Sequence, residues 1–95
     1  MSDTETVHLF VTGRVQGVGY RWFVARTANA LELVGWVRNV EDGAVEVAAQ
    51  GTPAQIAEFV RALWRGPSRA EVVAVHFKDD LDQDINLPDP FEIAE

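Results

Sequence analysis

Residues 7–40 read VHLFVTGRVQGVGYRWFVARTANALELVGWVRNV, and within them the chain changes character twice. VHLFVT, residues 7 to 12, is rich in β-branched and aromatic side chains that alternate in facing, which predicts a strand. From Tyr20 the positions Tyr20, Phe23, Val24, Thr27, Ala28 and Leu31 recur at spacings of three and four, which predicts an amphipathic helix ending before Gly35. GWVRNV, residues 35 to 40, returns to a strand pattern. A strand, a helix and a strand joined in this way form a crossover unit whose two strands run parallel, with a right-handed connection. The carboxyl ends of the two strands then lie at one edge of the domain. That edge carries the glycine-rich stretch 13–19 after the first strand and Asn39 at the end of the second.

Working outward, Glu41-Asp42-Gly43 is turn chemistry and AVEVAAQ alternates again, so residues 35 to 50 predict a hairpin. Thr52, Pro53 and Gln55 spell a capping box with proline at the first helical position, ahead of a buried stripe of Ile56, Phe59, Val60 and Leu63. Gly66-Pro67 stops that helix. AEVVAVHF, residues 70 to 77, is a fourth strand, DDLDQDINLPDP a polar loop, and Phe91-Glu92-Ile93 a short fifth strand. The order β-α-β-β-α-β predicts an α+β, ferredoxin-like sandwich, with a mixed, mostly antiparallel sheet of four to five strands and two helices on one face.

Composition narrows the chemistry. A chain of 95 residues is expected to fold as a single domain over residues 7–95 behind a flexible N-terminal segment 1–6. No apolar run approaches the ~20 residues that cross a bilayer, and no signal-peptide order is present, so a cytoplasmic protein is expected. There is no cysteine, which removes disulfides, zinc-thiolate sites and phosphocysteine chemistry. A net charge of −7 repels nucleic acid and anionic lipid at long range, so neither is an expected partner.

The glycine stretch admits two readings. It is a plain flexible connection beside a solvated arginine, or it is an anion site. Backbone N–H groups converging at a glycine turn and a helix amino terminus attract anions, and Arg21 in the first helical turn opposes the helix dipole unless an anion lies between them. Asn39, beside Glu41-Asp42-Gly43, reads in the same way as a turn residue or a polar group at the shared edge. Asp80, Asp82 and Asp84 have the opening spacing of a calcium loop, but Ile85 stands where its glycine belongs and Phe91 where its glutamate belongs. His8 and His76 lie in separate strands with no partner placed by sequence. Trp22, Trp36 and Trp64 read as core or rim aromatics and not as an RNA-stacking platform.

GRVQGVGYRWFV followed by GWVRNVEDGAVEV resembles the two signature stretches of the acylphosphatase family, and the likeness extends from about Val7 through the capped helix, AEVVAVHF and Phe-Glu-Ile. The resemblance implies hydrolysis of the carboxyl–phosphate anhydride of small acyl phosphates, with no metal and no cofactor. It further implies that backbone N–H groups of Val15, Gln16, Gly17, Val18, Gly19 and Tyr20 bind phosphate, that Arg21 clamps it, and that Asn39 orients the attacking water. An acyl phosphate releases a carboxylate of pKa about 4, so no general acid is required. A monomeric enzyme is expected. The alternative is a non-catalytic anion-binding or interaction domain related to the acylphosphatase-like domain of hydrogenase-maturation carbamoyltransferases, without the long remainder those enzymes carry.

Overall fold

The computed structural model describes residues 4–78 and 86–94. Its elements are β1 (Glu5–Arg14), α1 (Tyr20–Ala30), β2 (Val34–Asn39), β3 (Val45–Gly51), α2 (Pro53–Arg65), β4 (Glu71–Phe77) and β5 (Glu92–Ile93). The strands form one five-stranded sheet in the order β4-β1-β3-β2-β5. β3 is antiparallel to both β1 and β2, so those two run the same way and end at the same edge, as the crossover reading requires. β4 lies antiparallel outside β1, and β5 lies parallel outside β2.

The strand period of two sorts the side chains. Val7, Leu9 and Val11 of β1, Val45, Val47 and Ala49 of β3 and Val37 of β2 are buried together with Val24 and Ala28 of α1 and Ile56, Phe59 and Leu63 of α2. Each fully buried aliphatic or aromatic side chain contributes about 1.5–3 kcal/mol of transfer free energy, which makes this layer the main source of stability. The alternate positions point to the other face of the sheet. There His8 Nε2 lies 2.5 Å from Glu46 Oε2, and Arg38 Nε donates to Glu46 Oε1 at 2.6 Å. Burial alone would raise the Glu46 pKa; the hydrogen bonds and charges of His8 and Arg38 outweigh it and hold the carboxyl below its ordinary value.

Two local outcomes differ from the sequence expectation, at the start and at the end of β1, while α1 ends before Gly35 as expected but without a glycine. β1 begins at Glu5, because Glu5 and Thr6 pair with Gly51 and Gln50 and Gln50 Nε2 donates to Thr6 Oγ1 at 2.7 Å. The expected flexible segment 1–6 is therefore too long at its carboxyl end. α1 stops after Ala30 without a glycine: Glu32 takes the left-handed conformation at φ 61° while Leu33 N–H closes on Ala28 O at 2.9 Å. Gly13 belongs to β1 rather than to the turn. It sits at a register shift against β4, where a Cβ would run into the Glu71 carbonyl. The Asp80, Asp82 and Asp84 spacing lies outside the described residues.

Candidate active site

The connection from β1 to α1 covers five residues, Val15 to Gly19, anchored at both ends by buried groups. The Val15 side chain is fully buried in the core, and Tyr20, the first residue of α1, is buried with its hydroxyl donating to Leu63 O at 2.8 Å. Burial pushes the Tyr20 phenol well above its ordinary pKa, so it stays neutral and structural. Between these anchors Gly17 and Gly19 both have positive φ, 75° and 80°. Gly19 is the N-cap residue of α1 in the left-handed conformation, a geometry that carries a steric cost for any side chain.

Among the described residues, the amino terminus of α1 has no internal solution for its backbone donors. No side chain caps it and its first turn contains no acidic residue. The first helical N–H to find an intrahelical carbonyl is that of Phe23, which bonds Gly19 O at 3.0 Å. The N–H groups before it have no carbonyl within the helix, and the positive end of the dipole lies there. Arg21 stands at the second helical position, half-buried, and makes no ion pair among the described residues. Among the described residues, Val15, Gly17, Gly19, Tyr20, Arg21, Trp22 and Ile93 line a cavity of about 170 Å³, and none of them is acidic. That volume is below the roughly 300–1,000 Å³ of drug-sized pockets and suits a small anion.

Asn39 does not line this cavity, but two links tie it to the rim. Ile93, in the wall, is the register partner of Val37, two residues before Asn39 on β2. Val40, the residue after Asn39, accepts a hydrogen bond from Gln16 Nε2 at 2.8 Å, inside the glycine loop. Asn39 Oδ1 is buried and has no hydrogen-bond partner among the described residues. A buried acceptor without a donor costs about 1–3 kcal/mol, and a water or ligand donor at that point would remove the cost. The structure thus brings Val15, Gly17, Gly19, Tyr20 and Arg21 to one cavity, leaves Gln16 and Val18 out of its lining, and places Asn39 at the same sheet edge.

Some contributors have no clear sequence signal. The Gln16 amide also donates to Ala44 O at 2.9 Å, so one side chain spans the β2–β3 turn. Ile93, read simply as part of a terminal strand, is a wall of the cavity because β5 pairs beside β2. The other candidates fall elsewhere. His8 is paired with Glu46 on the opposite face, and among the described residues no group of three or more His, Cys, Asp or Glu is placed to hold a metal ion. A larger cavity of about 510 Å³ lies at the far end of β1, lined by Glu5, Val7, Ile56, Val60 and Phe77 among others, with no cationic group among the described residues. No helix among the described residues is long and apolar enough to cross a membrane.

Comparison with known proteins follows the same outline. The family model for acylphosphatase matches residues 7–93. An acylphosphatase from Chlorobaculum tepidum is 49% identical over 73 residues, 77% of this chain and 79% of that protein. The solved acylphosphatase from Coxiella burnetii superposes with a TM-score of 0.83 at 34% identity, over 97% of this chain and 94% of that one. HypF from T. kodakarensis is also similar, with a TM-score of 0.74 and 34% identity over 92% of this chain but 11% of its own.

Proposed function

The chain belongs to the acylphosphatase family, a family of enzymes, and from that premise we propose a division of labour within its site. The N–H groups of residues 15–20 and the Arg21 guanidinium hold the phosphoryl group of a small acyl phosphate, and Asn39 directs the attacking water. The observation that carries this reading is the cavity in which, among the described residues, Arg21 has no acidic neighbour in the wall and no ion-pair partner and meets the open N–H groups of an uncapped helix.

Each step balances with these groups alone. The water oxygen forms a bond to phosphorus as the bond from phosphorus to the carboxyl oxygen breaks. The electron pair leaves with the carboxylate, which needs no proton, and the water proton ends on a phosphate oxygen. Phosphoryl transfer of this kind spreads charge over the equatorial oxygens, and fixed N–H groups with a planar guanidinium stabilise that charge without reorganising. Asn39 Oδ1 accepts from the water and fixes its direction; a carboxamide is too weak a base to deprotonate it. The same reading takes the protein as a cytoplasmic monomer acting on small molecules.

The test is release of inorganic phosphate from a panel of acyl phosphates in excess chelator. Hydrolysis that survives chelation is expected; a rate lost to the chelator and restored by magnesium or zinc would sink the metal-free mechanism. The alternative, an anion-binding domain without turnover, predicts binding of inorganic phosphate with no hydrolysis of any panel member.

A further inference from the structure

We propose that the Gln16 side chain is a positioning group, which sets where the water on Asn39 stands relative to the phosphorus held by the glycine loop. The proposal rests on the functional reading above and adds a residue whose side chain touches neither water nor phosphate. Gln16 lies in the loop between buried Val15 and Gly17, and its Nε2 donates to Val40 O at 2.8 Å and to Ala44 O at 2.9 Å. Those two carbonyls close the β2–β3 turn: Val40 N–H bonds Ala44 O at 3.0 Å, and Gly43 N–H bonds Val40 O at 3.1 Å. The two hydrogens of one amide therefore clamp both sides of the turn that begins directly after Asn39.

The arrangement solves a specific problem. The phosphate-holding groups come from the β1–α1 connection and Asn39 comes from the end of β2, with β3 between the two strands. Pairing to β3 fixes the strands themselves, but the loop and the turn project beyond the paired region at that edge. Among the described residues the two Gln16 bonds are the hydrogen bonds that cross from loop to turn. In-line attack demands a fixed distance and angle between water and phosphorus, and a misplacement of about 1 Å costs on the order of 10²-fold in rate. A side chain of the same length with no donor would leave the loop backbone, and so the phosphate cradle, in place while freeing the turn.

Two substitutions test it. Gln16→Met keeps length and the backbone N–H. Its kcat should fall about 10- to 100-fold, with the inhibition constant for inorganic phosphate within about threefold of wild type and the melting temperature close to it. In an Asn39→Ala background the same substitution should change kcat little, since what it positions is gone. Gln16→Glu adds a readout that a merely structural role would not move. A carboxylate facing two carbonyl oxygens is repelled, whereas the protonated acid donates to one of them, and burial with the two acceptors raises its pKa. The ratio of variant to wild-type kcat should therefore rise as pH is lowered from about 8 to about 5. A Gln16→Met enzyme with wild-type kcat, a parallel loss of phosphate affinity and kcat, or a Glu ratio flat with pH would each overturn the proposal. A wild-type protein that hydrolyses no acyl phosphate would instead overturn the functional reading on which it stands.

Discussion

The two helices begin in opposite ways. Every α-helix leaves its first N–H groups without intrahelical partners. At α2 the chain solves this internally: Thr52 Oγ1 accepts from Gln55 N–H at 3.2 Å, Gln55 Oε1 accepts from Thr52 N–H at 2.9 Å, and Pro53 removes one donor altogether. At α1 there is no side-chain cap, no carboxylate in the first turn, and an arginine at the second position. One terminus is finished by the sequence and the other is left open beside a cavity. An end that lacks a cap where its sister has a complete one marks where a ligand is expected to finish the structure.

The difference breaks most easily at Arg21. Arg21→Ala should weaken inhibition by inorganic phosphate and lower kcat/KM by about 10²-fold or more, the scale of one lost transition-state contact. Arg21→Lys should recover little, because an ammonium cannot form the planar fork. Asn39→Ala should lower turnover on a similar scale while phosphate inhibition stays near wild type. Should Asn39→Ala lose phosphate binding and keep its turnover, the two roles are misassigned.

The converse substitution at the finished helix should act on stability alone. Thr52→Ala removes the cap and is expected to cost about 1 kcal/mol, a fall in melting temperature of about 4–8 °C for a domain of this size. Phosphate inhibition and kcat should not move. A Thr52→Ala enzyme with altered phosphate affinity would show that the two termini are not independent.

Anions should sharpen the contrast with the smallest effect. With 15 acidic against 8 basic residues, moderate sodium chloride should raise the melting temperature by screening self-repulsion. Phosphate at equal ionic strength should raise it further by binding the folded state. The extra increment should persist in Thr52→Ala and vanish in Arg21→Ala, measured by thermal melts of all three proteins. A melting temperature that falls with sodium chloride at neutral pH would refute the repulsion argument.

Much of this was legible in the sequence because the signals are local. The α2 cap is written in Thr52, Pro53 and Gln55, and strand alternation gave β1 and β3 to within a few residues. The shared edge of the glycine loop and Asn39 followed from the parallel strands that a crossover joins. What escaped depends on partners distant in sequence. Gln16 meets Val40 and Ala44 across 24 and 28 residues, and His8 meets Glu46 across 38. No spacing rule connects such pairs before the sheet order is known. The end of α1 was unmarked for another reason: Glu32 does at φ 61° what a glycine ordinarily does.

Trp22 sits in the wall of the cavity beside Arg21, 60% exposed, with the Arg26 guanidinium 4.6 Å from its ring centroid. Its indole is thus an optical probe already installed beside the proposed phosphate site. Trp36, hydrogen-bonded to Asn86 O, and Trp64 on α2 are absent from that wall. Replacing Trp36 and Trp64 with phenylalanine would leave one fluorophore at the cavity, so that filling and emptying of the site during turnover could be followed by emission in real time, without a label.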